Sequence, residues 1–461
     1  MQEATLKELE ERVRRLYRER AAPAARRFGL EPSEKFTGAA GRPAVLFLGN
    51  HSSGKSSFIN FLLGKEVQKT GLAPVDDGFT ILDYAERPDS LDGHAVVTHP
   101  ELPYRDLERY GPGFVKRLRM KLLPAPLLRE VTLIDSPGMI DSADRGVGRG
   151  YDFIEAARNF AERADLILFF FDPDKPGTTG ETMSVFTESL AGQEHKLLIL
   201  LHKVDLFESL GDFARTYGTL CWNLSKVIRS KDMPHLYVTY LPGHSRERPV
   251  KIALEDFDRS REEVVREIRR APVRRADNLV TALYLECRRL AMTGRVCLEA
   301  AGEYCRLRRV WALRTAAAGA AAGVAGWLFA RQGAWTEAAL SVLAGFALCS
   351  GLAWAARRAL TRFREQCRRP EFLELSYRSA YRNELGRKER ADLDALWAQA
   401  GRDAAALMAA PGPARIPRGQ GVRWFARFWE AARAVRQLER LADEEIPRLR
   451  RGLGRLKPEG A

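Results

Sequence analysis

Residues 44–63 run from an apolar stretch through a glycine-rich turn into a helical pattern, and no other segment restricts the fold as much. Ala44-Val45-Leu46-Phe47-Leu48 reads as a buried strand, and Ser57-Phe58-Ile59-Asn60-Phe61-Leu62-Leu63 as the first turns of a helix. Between them, Gly49-Asn50-His51-Ser52-Ser53-Gly54-Lys55-Ser56 matches GxxxxGK[ST]. Strand, turn and helix are the context that this motif requires. Its glycines let backbone N–H groups close around anionic phosphates at a helix N-terminus. The cradle is expected to span Gly49 to Ser57, with Lys55 reaching the β- and γ-phosphates and the Ser56 hydroxyl ligating Mg²⁺. A glycine turn that matches by chance is the alternative, and the flanking elements weigh against it.

The chain has 461 residues, enough for two or three domains, and a net charge of +14. That charge points to an anionic partner: nucleotide, nucleic acid or acidic lipid headgroups. An Arg- and Ala-rich composition also follows from a GC-rich coding sequence, so charge alone discriminates weakly. The six cysteines, Cys221, Cys287, Cys297, Cys305, Cys349 and Cys367, form no CxxC pair, and the seven histidines form no ligand set. Neither zinc nor a disulfide framework is expected, and a reducing compartment is the simple reading. Met1 to Arg27 reads as a charged amphipathic helix rather than a signal peptide.

Apolar strand-like runs alternate with helical segments from about Pro43 to Pro242. Val131–Ile134, Leu166–Phe171 and Leu197–Leu201 are the clearest strands after Ala44–Leu48. Continuous apolar strands separated by helices predict a mostly parallel sheet with helices on both faces, an α/β P-loop nucleotidase domain. After it the texture is helical and charged, interrupted by two uncharged stretches and by Pro411–Gly421. The expected divisions are an N-terminal helix (1–37), a nucleotide domain (38–245), a helical stalk (246–310), a membrane hairpin (311–358) and a C-terminal helical stalk (359–461).

Two further segments fit a nucleotide site. Asp135-Ser136-Pro137-Gly138 follows the strand Val131–Ile134 and has the form DxxG. Asp135 is expected to hold Mg²⁺ through a water, and the Gly138 N–H to face the γ-phosphate, a contact that vanishes on hydrolysis. His202-Lys203-Val204-Asp205 follows the strand Leu197–Leu201 and stands where guanine-specific proteins carry Asn-Lys-x-Asp. Asp205 is able to accept from the guanine N1–H and 2-amino group, and the Lys203 stem to cover the base. His202 replaces the asparagine, which leaves base choice open between guanine and adenine. An ordinary strand-end turn is the alternative for this tetrapeptide. The first switch is expected at Leu72-Ala73-Pro74-Val75-Asp76-Asp77-Gly78-Phe79-Thr80.

These segments together resemble the dynamin superfamily, in particular its EHD-type and sarcalumenin-type nucleotidases and bacterial dynamin-like proteins. Pro74-Val75-Asp76-Asp77-Gly78-Phe79 is similar to their Pro-Thr-Thr-Asp-x-Phe switch. Asp135–Gly138 with Arg149-Gly150-Tyr151-Asp152-Phe153 resembles DTPG…RGYDF, and Phe160–Asp165 resembles FAERVD. Tyr217–Trp222 and Ser225–Ile228 resemble YGALMW and the following GKII. The likeness covers roughly residues 28–298. It implies a membrane-binding, self-assembling nucleotidase that couples hydrolysis to membrane remodelling or tethering, on GTP in most branches and ATP in the EHD branch. No EH peptide-binding segment is expected at either end. The departures are specific. Val75 and Asp76 replace the switch threonines, so Asp76 becomes the candidate oxygen ligand for Mg²⁺ and Thr80 a fallback. Asn50 and His51 stand in the phosphate loop where dynamins keep a Gln, and Met139 follows DxxG where small GTPases place a water-orienting Gln. Hydrolysis is expected to be slow for the monomer. A scaffold that binds nucleotide with little hydrolysis, and a soluble GTPase-like regulator, are the alternatives.

Thr315–Ala330 and Ala338–Ala356 are free of charge and are joined by Arg331–Glu337. The second approaches the ~20 residues that span a bilayer. Gly319, Gly323 and Gly326 have small-residue spacing, Trp311, Trp327, Trp335 and Trp354 fall near the segment ends, and arginines flank both outer ends. The pattern predicts a helical hairpin in a membrane with both ends cytoplasmic, either two full spans or a shallow re-entrant loop. A buried hairpin of a soluble helical domain is the alternative. The expected partners are therefore a lipid membrane and further copies of the chain, with no nucleic acid. The aromatics of Arg423–Trp429 are expected to pack within a helical bundle, and the arginines of Arg269–Arg275 to form a solvated helix face.

Overall fold

A computed structural model of the chain describes residues 2–33, 36, 41–68, 78–139, 149–173, 180–190, 192–226, 235–242, 254–385, 390–409 and 422–454. The chain divides into two compact units, Met1–Leu6 with Gly38–Asn278, and Lys7–Thr37 with Leu279–Ala461.

The first unit is built on an eight-stranded sheet: β1 (Ala44–Gly49), β2 (Thr80–Tyr84), β3 (Asp89–Asp92), β4 (Arg119–Leu123), β5 (Thr132–Asp135), β6 (Leu166–Phe171), β7 (Leu197–Leu201) and β8 (Leu236–Val238). Their order is β3-β4-β2-β5-β1-β6-β7-β8. Strands β5, β1, β6, β7 and β8 are parallel, β2 runs antiparallel to β5 and parallel to β4, and β3 pairs antiparallel with β4. The four strands expected from continuous apolar runs are all present. Every residue of β6 is buried, as a central strand covered on both faces requires. Alternate side chains of β1 enter opposite cores. Leu46 and Leu48 join Phe79, Phe114, Phe160 and Phe169 on one face, while Val45 and Phe47 join Phe58, Phe170 and Leu200 on the other. Phe79, at the end of the expected switch, stacks on Phe160 at 4.5 Å between centroids.

The strands that hydropathy did not single out lie toward the edges. The segment β3 (Asp-Ser-Leu-Asp) is almost wholly exposed, and β4 carries Arg119 and Lys121. A charged edge strand is a common protection against unwanted pairing, and it erases the apolar signal.

The second unit is helical. Val13, Tyr17 and Phe28 pack with Val280, Leu283, Leu290, Val435 and Leu438 in one core. Met292, Val296, Leu373, Tyr377, Leu393 and Ala400 form another. Pro272 sits at the start of the helix Ala271–Arg331, just after the helix Glu255–Arg269 ends, where its missing N–H costs nothing. That 61-residue helix passes without a break through the stretch 315–330. A tight turn with Gly333 at φ +80° leads to the helix Trp335–Gln366.

These two helices pack antiparallel through small residues. A Cβ at Gly345 would lie 2.1 Å from the Ala322 Cβ, one at Gly326 would lie 3.1 Å from Ser341 Oγ, and one at Gly319 would lie 3.6 Å from Cys349 Sγ. Residues 319, 322 and 326 therefore form the seam, while Gly323, expected beside them, has nothing within 4 Å. Both helices are long and apolar enough to cross a membrane, and only 6% and 11% of their most apolar stretches are buried. Trp327, Trp335, Leu340, Leu343, Phe346 and Trp354 are all exposed. A buried core hairpin would show the opposite.

Among the aromatics of Arg423–Trp429, the side chains of residues 423–428 lie outside the described residues, and Trp429 is exposed. On the arginine face, Arg270 and Arg274 both pair with Glu267.

Candidate nucleotide site

The strand β1 ends at Gly49, and the helix Lys55–Leu63 begins after a turn with Ser52 at φ +63° and Gly54 at φ +95°. The turn is closely packed on its inner side. A Cβ at position 49 would come 2.5 Å from the Phe170 carbonyl oxygen, and one at 54 would come 2.4 Å from His202 Cδ2. Both positions thus require glycine, as a loop that wraps anions with its backbone must.

The DxxG segment lies against this loop. The His51 N–H donates to the Met139 carbonyl at 3.1 Å and the Met139 N–H to the Gly49 carbonyl at 3.2 Å. A Cβ at Gly138 would fall 2.6 Å from His51 Cα. Ser56 Oγ donates to Asp135 Oδ2 at 2.9 Å. Two of the three residues expected to serve Mg²⁺ are thus in contact although 79 positions apart. Asp76 and the switch residues 72–77 lie outside the described residues. The last switch residue, Thr80, opens β2 and is the register partner of Asp135.

Lys55 is buried, and its ammonium donates to the carbonyls of Gly49 at 2.9 Å and Asn50 at 3.1 Å. Burial pushes its pKa down to about 8; the Asp135 carboxylate opposes that fall, and the charges of Arg149 and Lys203 add to it. Asn50 Nδ2 and Ser53 Oγ are buried in the same loop with no hydrogen-bond partner among the described residues. His51 Nδ1 lies 2.8 Å from Ser52 Oγ.

The side chains fit a Mg²⁺–triphosphate. Ser56 and Asp135 offer hard oxygens, and the loop offers a buried cation and unpartnered polar atoms for an anion. No cluster of three or more His, Cys, Asp or Glu exists among the described residues.

The segment His202–Asp205, expected to read the base, shows an arrangement that the sequence did not foretell. His202 is 2% exposed, and its Nδ1 lies 2.9 Å from Thr239 Oγ1. Its ring meets Phe170 and Phe58 edge-on at 5.6 and 5.8 Å. The imidazole thus braces the phosphate loop against the segment after β8. Lys203, at φ +61°, pairs with Asp172 at 3.0 Å, and Asp205 is half-buried in the turn that follows.

Three further residues reach the site, two of them, Thr182 and Gln68, without a motif to announce them. Thr182 Oγ1 donates to Asn50 Oδ1 at 2.8 Å, and Gln68 Nε2 donates to Asp135 Oδ2 at 2.8 Å. Arg149, part of the segment similar to RGYDF, donates to the Gly138 carbonyl at 2.6 Å and pairs with Glu181 at 3.3 Å. Its guanidinium covers the Phe153 ring at 4.4 Å. Arg149 thereby holds the Gly138–Met139 peptide, which adjoins the one whose N–H is expected to face the γ-phosphate.

Residues 45–204 match the model of the dynamin family. EH domain-containing protein 2 of Rattus norvegicus is 38% identical over 200 residues, covering 43% of this chain and 36% of the relative. The Homo sapiens protein of that name is 35% identical over 232 residues, covering 49% of this chain and 42% of the relative. The chain thus spans about two-fifths of the length of the curated relatives it matches. A solved structure described as an oligomerised bacterial dynamin pair for long-range sensing and tethering of membranes aligns over 92% of this chain and 85% of its own. Its identity is 12% and its TM-score 0.40, too distant a likeness to carry weight.

Proposed function

We propose, from the match of residues 45–204 to the dynamin family and the similarity to EH domain-containing proteins, that the chain is a membrane-anchored nucleoside triphosphatase. The observation that carries the nucleotidase part is the contact of Ser56 Oγ with Asp135 Oδ2 at the mouth of the phosphate loop. Ser56 and Asp135 would hold Mg²⁺, with Asp76 as a third oxygen donor. The ion would supply positive charge against the β- and γ-phosphates. Lys55 would leave the Gly49 and Asn50 carbonyls for the phosphates, and Gly138 would present its N–H to the γ-phosphate.

GTP is the favoured substrate, because Asp205 stands where a guanine-reading carboxylate is needed. ATP is the alternative, supported by the resemblance to the EHD branch and by His202, which is committed to Thr239 and Gly54. Titration of both nucleotides against wild type and Asp205→Ala separates the two. Equal GTP binding by the variant removes Asp205 from base recognition.

The exposed apolar hairpin supports insertion into a membrane. Arg306, Arg308, Arg309 and Arg314 before it, and Arg357, Arg358, Arg362 and Arg364 after it, favour a cytoplasmic position for both ends by the positive-inside rule. The uninterrupted helix Ala271–Arg331 links the nucleotide unit to this anchor. Self-association of the nucleotide unit and stalk would then convert hydrolysis into remodelling or tethering of the membrane.

The second reading is a nucleotide-dependent membrane scaffold with little hydrolysis. It is favoured by Met139, a buried apolar side chain directly after DxxG. Phosphate release by the purified chain, with and without liposomes, decides between the two readings. Turnover no greater than that of Lys55→Ala selects the scaffold. Carbonate-resistant pelleting with membranes tests the anchor.

A further inference from the structure

Gln68 connects Asp135, the carboxylate expected to serve the metal, on β5 to a cation on β4, two strands away in the sheet. It is 6% exposed and follows the phosphate-loop helix. Asn60 fixes its backbone: Asn60 Oδ1 accepts from the N–H groups of Val67 at 2.9 Å and Gln68 at 2.8 Å, and its Nδ2 donates to the Gln68 carbonyl at 2.8 Å. Gln68 Nε2 donates to Asp135 Oδ2, the oxygen that also accepts from Ser56. At the other end of the amide, Lys121 Nζ donates to Gln68 Oε1 at 2.6 Å and to the Val67 carbonyl at 2.9 Å.

The chemistry of these groups permits one arrangement. An ammonium only donates and an ionised carboxylate only accepts, so the amide must turn its oxygen to Lys121 and its nitrogen to Asp135. Lys121 therefore sets the orientation of Gln68, and Gln68 sets that of Asp135. A Ser56 oxygen that ligates a metal through a lone pair keeps its O–H for Asp135, so Ser56 and Gln68 both hold the Oδ2 oxygen. Partners of this kind, bonded to a ligand and not to the metal, commonly change metal affinity 10–100-fold when removed.

We propose that Gln68, oriented by Lys121, is the positioning residue for Asp135 and sets the affinity of the nucleotide site for Mg²⁺. The proposal rests on the nucleotide reading above.

The test uses the full chain, with Mn²⁺ as a spectroscopic substitute for Mg²⁺ and a non-hydrolysable analogue of whichever nucleotide the wild type binds. Gln68→Leu keeps the approximate volume and removes the donor. Its Mn²⁺ dissociation constant is expected to rise about tenfold by electron paramagnetic resonance, with nucleotide affinity in excess EDTA unchanged. Lys121→Met is expected to weaken Mn²⁺ binding by a smaller factor, and Lys121→Arg to restore it. Melting curves without metal verify folding, and the Lys121 pair carries the test should Gln68→Leu not fold. Wild-type Mn²⁺ affinity in folded Gln68→Leu, or equal affinity in the two Lys121 variants, overturns the proposal. So does an equal loss of nucleotide affinity in EDTA, which marks a merely structural role. A wild type that binds no nucleotide with metal overturns the nucleotide reading as well, whereas a normal wild type with an unaffected variant overturns only the role of Gln68.

Discussion

The imidazole of His202 lies so close to Gly54 that a Cβ at position 54 would stand 2.4 Å from its Cδ2. This contact ties the end of β7 to the phosphate loop. The same ring is bonded to Thr239 and packed on Phe58 and Phe170. Truncation in His202→Ala opens a cavity and leaves a buried hydroxyl without its partner. We expect a loss of about 2–4 kcal/mol in the unfolding of the nucleotide unit, measured by urea denaturation. Nucleotide affinity falls with it, because the loop loses its support. Gly54→Ala, strained at φ +95° and blocked by the ring, is expected to abolish nucleotide binding in a calorimetric titration.

The Lys55 ammonium gives nucleotide binding a pH dependence of definite sign. In the free protein its pKa is about 8, lowered chiefly by burial. An incoming triphosphate places anionic charge beside it and raises that pKa. Lys55 is charged in both states well below pH 8, whereas above pH 8 binding must draw a proton from solution. Affinity is therefore expected to weaken as pH rises through 8, with proton uptake visible by calorimetry in buffers of different ionisation enthalpy. The folded state of the free protein binds fewer protons at Lys55 than the unfolded chain between about pH 8 and the ordinary lysine value near 10.4, so the same group makes folding more favourable as pH rises across that window. Lys55→Met removes both effects.

The hairpin seam distinguishes two glycines of similar setting in the sequence. Gly345 faces the Ala322 Cβ at a separation that admits no side chain, while Gly323 faces open space. Gly345→Leu is expected to force the two helices apart and to reduce carbonate-resistant vesicle binding. Gly323→Leu, on the outer surface, is expected to bind vesicles as the wild type does. Quenching of Trp327, Trp335 and Trp354 by brominated lipids reports the depth of insertion for both.

The outer face of the helix Leu210–Ser225 carries Trp222 at 68% exposure, near Gly218, which has nothing within 4 Å. Lys226 lies over the indole at 5.4 Å. Tryptophan is enriched among the residues that anchor protein interfaces. Trp222→Ala is expected to lower self-association in analytical ultracentrifugation and leave nucleotide affinity unchanged. An unaltered sedimentation profile assigns self-association to another surface.

The sequence disclosed what is buried on both faces and what recurs as a motif. Strands β1, β5, β6 and β7 were legible because each is a continuous apolar run. The strands β2, β3 and β4 were not, since Asp83, Asp89, Asp92, Arg119 and Lys121 interrupt the hydropathy signal, and an antiparallel β2–β5 pairing has no local signature. The seam of the hairpin was only half legible: Gly319 and Gly326 lie on it, Gly323 does not, and Ala322 takes its place. Within the site, Lys55, Ser56 and Asp135 were marked by their spacing. Gln68, Thr182 and Thr239 were not, because each meets its partner across a long sequence separation through a single side-chain hydrogen bond. His202 was visible as a departure from Asn-Lys-x-Asp, but its bracing of Gly54 required the fold.

On the proposed function, the Ser56–Asp135 site hydrolyses a Mg²⁺-nucleotide and the hairpin brings this activity to a membrane. Phosphate release by the full chain, measured with and without anionic liposomes beside Lys55→Ala, tests it most directly. The expected result is metal-dependent turnover that rises when liposomes are added and is absent from the variant. Wild-type turnover equal to that of Lys55→Ala under both conditions would contradict it.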